Sequence, residues 1–200
     1  SVVVIDQVEN AVPMAEALLA GGLSVMEITF RTAAAEESIR RICQALPQMV
    51  CGAGTLLTPD QIVRAKNAGA RFGVSPGFNP RVAAQARDIQ FPFYPGVLTP
   101  SDVEAALEMG CTLMKFFPAE PSGGVKMLKA MAAPYAHTGI RFIPLGGINP
   151  ANAPDYFQMP SVAAIGGTWI AEAKLIKEKK WAEITRNARE IVEIAAKYRT

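Results

Sequence analysis

The feature that most constrains this chain is a punctuation mark that recurs at a fixed interval. Thr58-Pro59, Asn79-Pro80 and Thr99-Pro100 stand about 20 residues apart, and each follows a short apolar run. Thr and Asn side chains cap helix N-termini, and proline suits the first helical position. Twenty residues is the length of one strand–helix unit, and Asn149-Pro150 repeats the mark later in the chain. The periodicity predicts strands at 2–5, 25–30, 49–54, 71–75, 91–94, 112–117, 141–145 and 162–166. It predicts helices at 8–19, 33–46, 59–68, 80–87, 100–109, 124–133, 151–157 and 180–198. Eight alternating units with no dividing linker predict an α/β chain folded as a single (β/α)8 TIM barrel over residues 1–200. A doubly wound open sheet is the competitor. Against it, the turn after the first strand reads Asp6-Gln7-Val8-Glu9, with no Gly-x-Gly-x-x-Gly.

Composition removes whole classes of function. Half of the residues are hydrophobic, 19% are charged and the net charge is +2, with no basic stripe for a nucleic acid. No apolar run approaches the roughly 18 residues of a membrane span. Cys43, Cys51 and Cys111 are odd in number and form no Cys-x-x-Cys pair, which fits a reducing, cytoplasmic compartment and core thiols. His137 is the single histidine and there is no Cys cluster, so a dedicated zinc site is not expected; the expectation is of no metal and no cofactor. The sequence opens at Ser1 directly on a strand, and part of the natural N-terminus is expected to be absent.

One lysine stands apart. Lys115 falls inside the hydrophobic strand Thr112-Leu-Met-Lys-Phe-Phe-Pro-Ala119, whereas the other lysines fall in helices or their flanks. Strand alternation places Leu113, Lys115 and Phe117 on one face and Met114 and Phe116 on the other. A desolvated amine gives up its proton more readily, and a neutral amine attacks carbonyls. The pattern equally fits a lysine reaching solvent from a strand end, or a structural ion pair. The second strand runs Val25-Met-Glu-Ile-Thr-Phe-Arg31. Its apolar face, Met26, Ile28 and Phe30, must meet the helices, so Glu27, Thr29 and Arg31 point into the barrel. Polar groups aimed at a core are costly without partners, and they sit where barrels of this kind keep their catalytic groups. A 2-keto acid satisfies three of these side chains at once. Its ketone suits Lys115, its carboxylate suits the planar fork of Arg31, and Glu27 can move protons.

Gly146-Gly147 ends the seventh strand and Gly166-Gly167-Thr168 the eighth. Loops in those positions hold phosphate in many barrels, because glycine lets backbone N–H groups approach an anion. Ser122-Gly123-Gly124 is either a contributor or a plain turn. Ser75-Pro76-Gly77 and Tyr94-Pro95-Gly96 end the fourth and fifth strands at the same mouth. Trp181 and the Ile184, Ile191, Ile194 stripe read as packing.

These pieces, taken in order, resemble the KDPG/KHG aldolase family. The resemblance rests on Ala11-Val-Pro-Met-Ala15, Gly21-Gly22, Glu27-x-Thr-x-Arg-Thr32, Gly52-Ala-Gly-Thr55, Ser75-Pro-Gly77 and Pro95-Gly96. It continues through Lys115-Phe-Phe-Pro-Ala119, Gly123-Gly-Val-Lys126, Gly146-Gly147 and Gly166-Gly-Thr-Trp169. The resemblance implies a metal-free homotrimeric class I aldolase, with Lys115 as the Schiff-base lysine and Glu27 as the proton-transfer residue. It implies that Arg31 and Thr55 bind the pyruvyl part, that Pro95 and Phe117 line the pocket, and that Gly146, Gly147, Gly166, Gly167 and Thr168 form the phosphate end. Two departures stand out: Leu145 occupies a position where the family often has threonine, and the family's initial helix is missing or trimmed. The implied substrate is 2-keto-3-deoxy-6-phosphogluconate, with 4-hydroxy-2-oxoglutarate as a second. The alternatives are the galactonate epimer, a sugar-phosphate epimerase or isomerase, a metal-dependent aldolase, or a non-catalytic metabolite sensor.

Overall fold

The computed structural model describes residues 1–198. Five strands form one parallel run of neighbours: β1 (Val2–Val3), β2 (Val25–Thr29), β3 (Val50–Gly54), β4 (Gly73–Val74) and β5 (Phe93–Tyr94). A second parallel run holds β6 (Gly96–Val97), β7 (Leu113–Phe116) and β8 (Arg141–Pro144). Only Pro95 separates β5 from β6. Its carbonyl accepts the Lys115 N–H at 2.8 Å, so the two pieces are halves of the fifth barrel strand.

Residues 161–166 take the eighth position without forming a full ladder. The Phe142 N–H donates to the Ser161 carbonyl at 2.7 Å, and the N–H groups of Ala163 and Gly166 donate to Phe142 and Pro144 at 2.9 and 3.2 Å. The Val2 N–H then donates to the Gly167 carbonyl at 3.2 Å and closes the ring. The expected (β/α)8 barrel is therefore present.

The helices are α1 (Ala11–Ala20), α2 (Ala35–Ala45), α3 (Pro59–Asn67), α4 (Pro80–Asp88), α5 (Pro100–Glu108), α6 (Gly124–Ala132), α7 (Ala153–Phe157), α8 (Ala173–Lys177) and α9 (Trp181–Tyr198). The capping chemistry read from the sequence sets three of their starts. Thr58 and Gln61 form a reciprocal capping box at α3, and Thr99 and Asp102 form one at α5. Asn79 accepts from the Arg81 N–H at 3.0 Å at the start of α4. Asn149-Pro150 behaves differently. Asn149 Oδ1 accepts from the Ala151 N–H at 2.9 Å and caps a turn, and α7 begins only after Asn152. α8 has no counterpart among the sequence expectations.

Alternation sorts the side chains as the pattern requires. Met26, Ile28, Met114 and Phe116 are buried in the apolar shell between barrel and helices. Full burial of each such side chain contributes about 1.5–3 kcal/mol. Along α9, Ile184, Ala188 and Ile191 are buried, with Trp181 and Ile194 packed beside them. Rings wall the lower lumen: Phe72 and Tyr94 lie 5.9 Å apart, and a Cβ at Gly52 would overlap the Phe72 ring.

Cys43 on α2 and Cys51 on β3 pack against the core as expected, Cys51 fully buried and Cys43 half-buried with its thiol donating to the Gly69 carbonyl at 3.2 Å. The neighbouring Cys51 thiol holds the Cys43 thiol below its usual value despite partial burial. The Cys43 thiol, together with burial, pushes Cys51 well up.

Candidate active site

The C-terminal ends of the strands open into a cavity of about 140 Å³. β2 sends Glu27 and Thr29 into it, with Arg31 at its mouth, and β7 sends in Lys115 from across the barrel. Lys115 and Glu27 are each 6% exposed, and Nζ lies 3.5 Å from Glu27 Oε1. The lysine is therefore buried in the lumen, ion-paired, and not reaching for solvent. Its Nζ also sits 5.3 Å from the centroid of the Phe117 ring, which walls the same cavity.

Space for the carboxylate comes from the neighbouring strand. Glu27 pairs with Gly52 in register, and a Cβ at Gly54 would overlap Oε1. Just beyond Gly54, Thr55 lines the cavity with φ at 56°, a left-handed conformation that strains a β-branched residue. Arg31 is exposed at the rim and has no carboxylate within 4 Å among the described residues. Its guanidinium remains open to an incoming anion.

The glycine end faces Lys115 across the cavity. Gly146 and Gly147 take positive φ values of 100° and 81°. A Cβ at Gly147 would stand 2.7 Å from the Glu120 Cβ, so the loop needs glycine there. The N–H groups of Gly147, Gly167 and Thr168 have no backbone acceptor among the described residues, whereas the bridge between Leu145 and Gly166 takes up the Gly146 N–H. Gly166 differs, because its N–H is committed to the Pro144 carbonyl. Behind this end the Tyr156 hydroxyl donates to Glu120 and fixes the loop after β7 against α7. Burial, then that bond, push the Tyr156 phenol up.

One expected lining residue is displaced. Pro95 is not part of the cavity wall, and Pro76 is. The reason is steric. Pro95 belongs to the fifth strand itself, and the backbone of the 75–77 loop folds so closely over Gly96 that a Cβ there would overlap the Pro76 carbonyl. Ser75 braces that loop by donating to the Gly77 carbonyl at 2.6 Å. Leu145 lines the cavity beside Gly166, where a Cβ would stand 2.8 Å from the leucine Cδ2.

Volume alone does not choose the site. A groove of about 730 Å³ runs past Lys129, Ala133, Arg141 and Met159, at the opposite end of β8, and contains none of these groups. A second space of about 290 Å³ lies below the site and shares Val2, Glu27, Lys115, Leu145 and Gly166 with it. Among the described residues there is no cluster of three or more His, Cys, Asp or Glu side chains able to hold a metal ion.

An amine, a carboxylate, an open guanidinium and a ring of free backbone donors share one small cavity. That set can form an imine with a ketone, transfer protons and grip anions at two ends. The family profile for KDPG and KHG aldolase matches residues 1–187.

The chain belongs to the KDPG and KHG aldolase family.

A 2-dehydro-3-deoxy-phosphogluconate aldolase of Haemophilus influenzae is 46% identical over 193 residues, covering 96% of this chain and 90% of the relative. Two solved aldolases share the fold closely. The KDPG aldolase of Legionella pneumophila, with pyruvate captured as a covalent carbinolamine, is 39% identical with a TM-score of 0.90, over 94% of this chain and 90% of its own. The KDPG aldolase of Zymomonas mobilis ZM4, with 3-phosphoglycerate, is 40% identical with a TM-score of 0.91, over 100% of this chain and 91% of its own. No helix of this aldolase-family chain is long and apolar enough to cross a membrane among the described residues.

Proposed function

We propose that this chain is a class I aldolase that cleaves 2-keto-3-deoxy-6-phosphogluconate to pyruvate and D-glyceraldehyde 3-phosphate through a Schiff base on Lys115. The same site accepts 4-hydroxy-2-oxoglutarate, releasing pyruvate and glyoxylate. The observation that carries this reading is the buried Lys115–Glu27 pair at 3.5 Å, set between an open guanidinium and a ring of backbone donors. The pyruvate carbinolamine in the Legionella relative supports the same chemistry.

Each step has a group in place. Glu27 takes a proton from the Lys115 ammonium, and the free amine attacks C2 while Arg31 and Thr55 hold the carboxylate. Loss of water gives the iminium, which draws electrons from C3. Glu27 removes the C4 hydroxyl proton, the C3–C4 bond breaks, and the aldehyde departs. The enamine is protonated at C3, and water releases pyruvate. A covalent intermediate replaces one hard step by two easier ones. Phe117 walls the pyruvyl half. The N–H groups of Gly147, Gly167 and Thr168 receive the phosphate, and Gly146 and Gly166 hold the two loops together beside them. The working enzyme is a cytoplasmic homotrimer.

Leu145 places methyl groups where the family often has a hydroxyl, at the aldehyde half of the cavity. The substrate panel therefore includes the C4 epimer. Pyruvate release is measured, by coupling to lactate dehydrogenase, on the phosphogluconate derivative, its galactonate epimer and 4-hydroxy-2-oxoglutarate. The first is expected to have the highest kcat/KM. No pyruvate from any of the three refutes the proposal.

A further inference from the structure

Thr29 is 3% exposed, and its Oγ1 has no hydrogen-bond partner. A buried hydroxyl in that state weakens the fold, and valine, of the same shape, would avoid the loss. Yet this hydroxyl is not hidden in the apolar shell. It lies in the wall of the cavity that holds Lys115 and Glu27, opposite Gly54 in the ladder register. Glu27 Oε1 is likewise without a hydrogen-bond partner, beyond its ion pair with Lys115. Two unsatisfied oxygens thus border one small space, next to one amine.

The strand fixes what Thr29 can reach. It follows Glu27 by two residues on the same face and ends the strand, and Arg31, just beyond in the turn, lines the same cavity, so Thr29 overlooks the gap between amine and guanidinium. A 2-keto acid joined through C2 to Lys115, with its carboxylate at Arg31, must span that gap. One substrate oxygen then still needs a donor, the ketone oxygen on C2. When the amine attacks, the π electrons of the carbonyl move onto that oxygen. Developing negative charge in a buried site is where a fixed donor has its largest effect.

We propose that Thr29 is a further catalytic residue, whose hydroxyl donates a hydrogen bond to the C2 oxygen as the carbinolamine forms and as that oxygen leaves as water. The proton balance closes with Glu27. One ammonium proton passes through Glu27 to the C2 oxygen as the N–C2 bond forms. A second passes by the same route as the C2–O bond breaks, giving water, and the third stays on the iminium. Thr29 moves no net proton. This rests on the Schiff-base reading of Lys115, and the experiment separates the two.

Wild type, Thr29→Val and Thr29→Ser are mixed with graded pyruvate up to saturation, quenched with borohydride at graded times, and read by mass spectrometry at Lys115; melting temperatures are taken in parallel. Thr29→Val should label about 10²-fold more slowly at saturation, the size expected for one lost oxyanion donor, while melting no lower than wild type. Thr29→Ser should label within about threefold of wild type, because it keeps the donor. Labelling of Thr29→Val at the wild-type rate overturns the proposal. So does a defect confined to KM, which makes Thr29 a binding group only. So does a lowered melting temperature that Thr29→Ser does not restore, which makes it structural. Absence of label on the wild type removes the Schiff-base reading, and the role of Thr29 falls with it.

Discussion

Gly54 and Glu27 are one steric unit. A Cβ on residue 54 would overlap Glu27 Oε1 and stand 2.5 Å from its Cδ, so the carboxylate occupies the volume that a side chain on β3 would fill. The acid is held opposite Lys115 by the absence of an atom as much as by the ion pair. Gly54→Ala is expected to fold but to push Glu27 off the amine, costing about 10²-fold in kcat/KM, the usual cost of an ångström-scale misplacement. Pyruvate release and a melting curve check this together; full activity in a folded Gly54→Ala protein contradicts it.

Thr55 sets function against stability. Its φ of 56° strains a β-branched residue by about 1–3 kcal/mol, and its side chain lines the cavity. Thr55→Gly should relieve that strain and, after the entropy lost to glycine, stabilise the protein by about 1 kcal/mol. The same change should raise KM for pyruvyl substrates. Urea unfolding and steady-state kinetics on one preparation test both halves, and a destabilised variant would show that the backbone there is not strained.

Asp102 gives a pH-dependent prediction. Burial works against its charge, but hydrogen bonds from the Leu98 N–H at 3.1 Å, the Thr99 hydroxyl at 2.8 Å and the Thr99 N–H at 2.9 Å outweigh it and hold the carboxyl below its usual value. A carboxyl lowered on folding adds stability above its unfolded pKa of about 3.9, and loses it as pH falls through the folded value. Asp102→Asn should cost about 1 kcal/mol at pH 7, and the gap to wild type should close in acid. Melting curves at neutral and acidic pH decide it; a gap that stays constant would mean that the carboxylate charge plays no part.

Much of this was legible from the chain alone, and the limits have physical causes. The strand period of two placed Lys115, Glu27 and Thr29 in the lumen and Met114, Phe116, Met26 and Ile28 outside it, because one misplaced residue would invert every face. The Thr-Pro and Asn-Pro marks located α3, α4 and α5, because capping is local chemistry. Contacts set by closure of the ring were not legible. Pro95 reads as a strand end, yet the strand continues past it, and its carbonyl holds Lys115. Asn149-Pro150 carries the same local signal as the true caps and makes a turn. The Cys43 thiol's bond to the Gly69 carbonyl joins residues 26 apart, with no sequence spacing to announce it. Thr29 was visible as an inward residue, but only the structure shows its hydroxyl without a partner.

The central claim is that Lys115 becomes covalently bonded to the ketone carbon of its substrate. The direct measurement is borohydride reduction in the presence of pyruvate, followed by peptide mass spectrometry. The account predicts a reduced pyruvyl adduct on Lys115, absent from Lys115→Ala, which should stay folded and lose more than about 10³-fold in turnover. An adduct on another lysine, no adduct at all, or near-wild-type turnover in Lys115→Ala would contradict it.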